Sequence, residues 1–393
     1  MSLRTSMLCV AIGFAALATT VPVSAEDGKF HFTVLDDPQA VPPSIGTRAN
    51  AINDLGVVAG DYQASGMFHG FVSTPPYSNT SYTTVDGPGS SDLWAVNLRG
   101  VVTGYYFDAS GVPHGMVSRP PYTVVTSFDA PGACEDNICN GGTNSVSINL
   151  EGVIGGSFGD ANAVSHGFVS YPPYNETNFT TLDAPGACSS GSACSGSGTF
   201  VESNSLTDLG AVTGYYADAS QVVHGFVSYP PYSKTNFTTS DAPGACEDDV
   251  ASCIGTFNGT YPACINLWGV ITGTYYGADS VGHGFVSYPP YTKKTFTSFD
   301  APGSPLLTFP LGINLEGVIT GYFLDSEGVG HGFVSYRPYG KTNFTTLDAP
   351  RACSSGSACS GLGTFPEAIN LEGQITGFYV DASGSRHSFV AHQ

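Results

Sequence analysis

Residues 313–350 read Ile313-Asn-Leu-Glu-Gly-Val-Ile-Thr-Gly-Tyr-Phe-Leu-Asp-Ser-Glu-Gly-Val-Gly-His331-Gly-Phe-Val-Ser-Tyr, then Arg337-Pro-Tyr-Gly-Lys-Thr-Asn-Phe-Thr-Thr-Leu-Asp348-Ala-Pro. The phrase recurs seven times, with its histidine at His69, His114, His166, His224, His283, His331 and His387. Seven of the nine histidines therefore hold one repeat position. Self-similarity at a period of about 50 residues makes each copy one supersecondary unit.

Each unit predicts four short strands. The first ends in Asn, as in Ala51-Ile52-Asn53, and an Asn-Leu-Glu-Gly turn follows, with the residue preferences of a type I turn. Val-Ile-Thr-Gly-Tyr forms the second strand, an Asp-Ala-Ser-Gly turn leads to His-Gly-Phe-Val-Ser, and a Pro-Pro-Tyr loop leads to Asn-Phe-Thr-Thr-Leu-Asp. Prolines stand between strands, where a missing N–H costs no ladder bond. Four-stranded units of this length predict an all-β, seven-bladed β-propeller. The ends support closure. The seventh unit stops after its third strand at His387-Ser-Phe-Val-Ala, while Phe32-Thr-Val-Leu-Asp36 matches the missing fourth. An N-terminal strand completing the last blade leaves no exposed edge.

The phrase Ile-Asn-Leu-Glu-Gly-Val-Ile-Thr-Gly-Tyr-Phe with Gly-Val-Gly-His-Gly-Phe-Val-Ser-Tyr resembles the HAF repeat of extracellular bacterial proteins. Departures are local: Thr207 stands for Asn, Met116 for Phe and Ser388 for Gly. The resemblance implies export and a repeat fold, and no activity. Residues 1–25 read as a secretory signal peptide: Arg4, an apolar run from Met7 to Ala18, and Val23-Ser24-Ala25 before Glu26. Residues 26–393 are then expected to be one propeller domain, secreted or periplasmic, with no membrane span.

Composition narrows the partners. The chain of 393 residues carries 12 Lys and Arg against 32 Asp and Glu, a net charge of −20. Binding to nucleic acid or anionic lipid rests on Lys and Arg meeting phosphates, so neither is expected. The chain contains 50 glycines, 26 prolines, 24 Phe, 21 Tyr and 2 Trp, too aromatic for disorder and too rich in Gly and Pro for helices.

Length variation is concentrated. From the turn Asn (Thr207 in unit four) to the His is 16 or 17 residues, and from the His to the fourth-strand Asp is 17 in five units and 15 in the second. From that Asp to the next turn Asn the distance runs from 11 to 25. These crossovers emerge on one face, and variable loops on a rigid scaffold are where binding resides. Four crossovers hold cysteine pairs: Cys134 and Cys139, Cys188 and Cys194, Cys246 and Cys253, Cys353 and Cys359. In an exported chain these read as disulfides within loops, leaving Cys264 free. Crossovers 187–200 and 352–365 are nearly identical, which suits repeated contact with one ligand.

The histidines read as structural. Seven points spaced around a ring lie too far apart to share a metal. Antiparallel third and fourth strands should place each His beside the fourth-strand Asp of its blade, His331 by Asp348 and, across the chain ends, His387 by Asp36. Asp86, Asp129, Asp183, Asp241 and Asp300 read the same way. The acidic pairs and triplets Glu135-Asp136 and Glu247-Asp248-Asp249 offer oxygen ligands of the kind Ca²⁺ takes. Without calcium-loop spacing they read first as solvated acids, so no metal or other cofactor is expected. Trp94 and Trp268 are the only tryptophans, and aromatic planes among neutral polar groups suit a sugar. No Gly-x-Ser-x-Gly or His-Glu-x-x-His motif and no catalytic residue is legible. The reading is a monomeric, non-catalytic binding or scaffold propeller for a polysaccharide or other surface component. The alternative is a polysaccharide-degrading enzyme, lyase or hydrolase, at the central channel, which would need a non-repeating cluster at one mouth.

Overall fold

The structure, a computed structural model, describes residues 30–40, 45–136, 141–190, 194–246 and 258–393. The signal-peptide reading of 1–25, the acids Glu247, Asp248 and Asp249, and Cys139 and Cys253 lie outside the described residues.

Seven antiparallel blades surround a central channel. In blade 1, Thr47–Ile52 is innermost, followed outward by Val58–Ala64, Met67–Ser73 and Tyr82–Thr84. Blades 2 to 6 repeat this order from inner strands Ser90–Val96, Gly142–Ile148, Thr199–Leu206, Gly259–Ile265 and Leu307–Ile313. Blade 7 takes Gly363–Ile369, Ile375–Val380 and Arg386–His392 from the end of the chain, and His31–Leu35 as its outermost strand. That strand pairs antiparallel in the register Thr33 to Val390 and Leu35 to Ser388. Inner strands run six to eight residues, longer than the sequence pattern suggested, because each carries a bulge before the turn. Blades are not isolated sheets throughout. Single parallel bridges, such as Gly330 to Gly363, join the third strand of one blade to the first strand of the next.

The core is divided among the blade junctions. Seven buried apolar clusters each span two neighbouring blades, among them Val334, Leu347, Ile375 and Phe389 between blades 6 and 7. Between blades 7 and 1 the N-terminal Leu35 packs with Val58, Phe71 and Val390. The Phe of each His-Gly-Phe (Met116 in blade 2) is at most 1% exposed, so that one side chain fills every junction. The second-strand glycine is demanded by closeness of the backbone: a Cβ on Gly321 would lie 2.1 Å from the Phe309 carbonyl oxygen.

The turn asparagine links the blades. Its Oδ1 accepts from two N–H groups of its own turn, as Asn314 does from Glu316 and Val318, except at Asn370, which accepts from Gln374 alone and donates to the Gln374 side chain. Its Nδ2 donates to the carbonyl of the corresponding residue in the next blade: Asn53 to Asn97, Asn97 to Asn149, Asn149 to Thr207, Asn266 to Asn314, Asn314 to Asn370 and Asn370 to Asn53. The ring is complete except after Thr207, whose hydroxyl serves only its own turn, accepting from Ala211. The Pro-Pro-Tyr and Arg-Pro-Tyr loops do more than reverse the chain. Each of their six tyrosines donates its hydroxyl to the turn glycine carbonyl of its blade, as Tyr339 does to Gly317 at 2.8 Å.

Thr207→Asn should close the open link to Asn266 and raise the unfolding free energy by about 1 kcal/mol. Denaturant titration checks this, and an unchanged or lower midpoint would contradict the girdle. Deleting residues 26–40 exposes the unpaired edge of Arg386–His392, so size-exclusion chromatography should show aggregation; a monodisperse, cooperatively folding product would contradict closure.

Candidate functional site

Every histidine of the repeat is held in the same way. Its Nδ1 lies 2.7–2.9 Å from a carboxylate oxygen: His69 with Asp86, His114 with Asp129, His166 with Asp183, His224 with Asp241, His283 with Asp300, His331 with Asp348, and His387 with Asp36. Each ring also stacks on a second-strand aromatic, as His331 does on Phe323 at 5.1 Å. In blades 2 to 7 the Nε2 faces a further Asp of the second turn, at 3.4 Å from Asp381 in the case of His387. Carboxylates on one side of the ring in blade 1 and on both sides in blades 2 to 7 give these histidines a place in the blade's own hydrogen bonding. Asp381 is held down to about 2: burial pushes its carboxyl up, but hydrogen bonds from Ser383 and Ser385 and the His387 contact outweigh it.

The cysteine loops are pinned to the ring. Cys188–Cys194 and Cys353–Cys359 are disulfides, buried on Val164 and Val329 of the preceding blade. Cys134 and Cys246 are disulfide-bonded as well. Cys264 is a buried free thiol on the inner strand of blade 5. Glu135 and Asp136 are exposed in the crossover from blade 2 to blade 3. Among the described residues no cluster of three His, Cys, Asp or Glu could hold a metal ion.

The two tryptophans belong to different places. Trp268 is 68% exposed on a blade 5 turn, on the face opposite the crossovers, along with the exposed Leu55 and Leu209. Trp94 is the bulge residue of the blade 2 inner strand. It stacks on Tyr105 and lies under the Arg48 guanidinium, 4.8 Å from its ring.

Arg48 leads to a cluster that the repeat does not contain elsewhere. One residue beyond the last pair before the bulge, toward the crossovers, the seven inner strands and their cross-strand partners differ by blade. Blades 1 to 3 carry Arg48 with Asp61, Asp92 with Tyr105, and Asn144 with Ser157. Blades 4, 6 and 7 carry Phe200 with Tyr215, Phe309 with Tyr322, and Phe365 with Phe378, and blade 5 carries Tyr261 with Thr274. The crossover side of the channel is thus polar along one arc and aromatic along the other. Arg48 Nε donates to Asp61 at 2.9 Å, and the Asn50 amide donates to Asp61 and to the Leu93 carbonyl. Burial pushes the Asp92 carboxyl up to about 7, with the Asp61 charge adding to the rise and Arg48 opposing it. Burial likewise raises Glu367, beside Arg48, to about 7. In the channel's other half a cavity of about 450 Å³ is lined by an aliphatic ring, with Ile52, Ile148, Ile265 and Ile313 among it, and by the turn asparagines with Asp54 and Asp208.

One count of loop lengths needs correction. The Asp183–Thr207 interval exceeds Asp348–Asn370 by two residues, yet the crossovers themselves have equal length. The extra residues lie in the blade 4 inner strand, where pairing breaks between Val201 and Leu206 and Asn204 adopts φ +55°. Asparagine tolerates that left-handed backbone better than most residues. Glu202, at the position that Glu367 holds in blade 7, lies beside Tyr215, and burial pushes its carboxyl up.

No family model matches the sequence, and no curated protein does. Among solved structures, virginiamycin B lyase from Staphylococcus aureus is similar over 93% of this chain and 100% of that chain, with TM-score 0.54 and 10% identity. A streptogramin B lyase is similar over 92% and 97%, with TM-score 0.53 and 11% identity. Prolyl endopeptidase matches 94% of this chain but 48% of its own, with TM-score 0.51 and 11% identity. At these identities the likeness is one of fold.

Stability should fall as pH rises from about 4 to about 7, the interval between the ordinary and the raised values of Asp92 and Glu367, and go on falling above the ordinary histidine value. The hydrogen bonds to Asp183 and Asp300 raise His166 and His283 against the opposing effect of burial, so their contribution is full below the ordinary histidine value and lost above the raised one. Asp92 and Glu367 act in the same direction, since ionising a carboxyl buried neutral costs folding free energy. The Asp92→Asn/Glu367→Gln double variant should show a shallower fall in Tm over that range; an identical slope would place neither carboxyl in the buried, neutral state. The chain folds as a β-propeller.

Proposed function

We propose that the chain is an exported propeller of the HAF-repeat kind, its signal peptide 1–25 removed and residues 26–393 forming one domain, that binds a glycan on the crossover side of its channel. The observation that carries this reading is the concerted departure from the repeat at Arg48, Asp61, Asp92 and Trp94, packed with Tyr105 and Glu367 and set beside the aromatic arc of blades 4 to 7. Sugar hydroxyls hydrogen-bond to carboxylate and guanidinium groups, and the C–H faces of pyranose rings pack on aromatic planes. A rigid ring suits this use because its groups need no ordering on binding. No helix among the described residues is long and apolar enough to cross a membrane, and the disulfides fit an oxidising compartment.

Depletion assays against neutral, uronate-containing and sulfated polysaccharides test the reading. At least one should bind, and Trp94→Ala should weaken it by about tenfold, the usual scale for an aromatic anchor. No binding across the panel, or binding indifferent to Trp94→Ala and Asp92→Asn, would contradict it.

One observation favours a second reading, cleavage of the bound polysaccharide. Asp92 and Glu367 are poised near neutrality beside an ion-paired Asp61, the arrangement in which one carboxyl donates a proton while a neighbour stays ionised. Asp92→Asn and Glu367→Gln would then abolish release of new chain ends while sparing binding.

A further inference from the structure

The crossovers 187–200 and 352–365 differ at one position, Ser197 against Leu362, yet they meet different neighbours. Between blades 6 and 7, Phe309 and Tyr322 lie side by side at 5.5 Å, and the Tyr322 ring stands edge-on to Phe365 at 5.1 Å. Phe365 in turn covers Gly330, where a Cβ would come within 2.6 Å of its ring. Between blades 3 and 4 the same three positions hold Asn144, Ser157 and Ser165. Phe200 keeps the stacking partner in its own blade, Tyr215 at 4.9 Å, as Phe365 keeps Phe378. The surface that Tyr322 covers on Phe365 is uncovered on Phe200. A cavity of about 330 Å³ results, lined by Asn144, Ser157, Ser165, Ser195 and Phe200.

The lining settles the chemistry of an occupant. It contains no ionisable side chain, so a charged group entering it would be desolvated without a counter-charge. It offers hydroxyls, the aromatic side chains Phe200 and Phe158, and an Asn144 amide that makes no hydrogen bond to the protein among the described residues. Ser157 Oγ accepts from the Val201 N–H, which leaves its own proton to donate. The volume is at the lower end for small-molecule sites. Two aromatic rings fill the equivalent space in the sister junction, and polar side chains replace them here.

We infer that the cleft between blades 3 and 4 is a binding subsite for a neutral sugar, one or two pyranose rings seated against Phe200 with hydroxyls on Asn144, Ser157, Ser165 and Ser195. The inference rests on the reading of the chain as a glycan binder and extends it from the Arg48 and Trp94 cluster to a cleft farther round the same face, where Asn144 and Phe200 end the polar and aromatic arcs. It also makes the duplicated crossovers unequal, since one frames an open cleft and the other a filled junction.

Saturation-transfer NMR with neutral mono- and disaccharides of glucose, galactose, mannose, xylose, fucose and N-acetylglucosamine tests it. Wild-type protein should bind at least one saturably. Asn144→Phe/Ser157→Tyr, which rebuilds the sister junction, should abolish the signal that remains in Trp94→Ala protein. Should the double variant fail to unfold cooperatively on heating, Asn144→Ala replaces it, with a tenfold loss of affinity expected. Absence of binding by every neutral sugar would overturn the subsite. Binding lost in Trp94→Ala but unchanged in the cleft variants would also overturn it, while leaving the channel-mouth reading standing.

Discussion

One amide side chain in six of the seven blades carries the ring. The turn asparagine accepts two N–H groups of its own turn through Oδ1 (one at Asn370) and reaches the next blade's carbonyl through Nδ2. Turn formation and blade-to-blade registry are therefore the same event, because the side chain is aimed across the junction only when its turn has formed. Buried amides must find partners, and here each finds three. The link Asn370 to Asn53 spans 317 residues of sequence, so the last blade is held to the first by the same bond that holds every other pair but blades 4 and 5. The outer strand His31–Leu35 does the same at the rim, where His387 meets Asp36.

A ring tied at its inner turns and at its outer strands leaves the remaining positions free to vary. The tyrosine hydroxyls that reach back to the turn glycines stiffen the turn face further, and the disulfides fasten two crossovers onto the preceding blade. What varies then collects on the crossover side: polar groups on blades 7, 1 and 2, aromatic rings on blades 4 to 7, and the cleft at Asn144. Side chains there sit on strands and not on loop tips, which holds them in place before any ligand arrives.

Fold class, blade number and closure were legible because they rest on counting. Seven histidines at one repeat position give seven units, and Phe32-Thr-Val-Leu-Asp36 supplies the strand missing after His387. The inter-blade role of Asn314 and its counterparts was not legible, since a type I turn accounts for asparagine without it. The reach of Tyr339 to Gly317 was hidden similarly behind an ordinary proline turn. Arg48, Asp61, Asp92 and Glu367 escaped for another reason: they lie in strands, where variation reads as packing until the seven inner strands are aligned in space. Counting from Asp to Asn also assigned two residues to the fourth crossover that belong to the strand bearing Glu202.

Native-state hydrogen exchange measures the central claim, that the chain ends are part of one cooperative ring. The account predicts that the amides of His31–Leu35 exchange only with global unfolding, at the rate of those in the inner strand Gly363–Ile369. Rapid exchange of His31–Leu35 while Gly363–Ile369 stays protected would show a frayed seventh blade and contradict it.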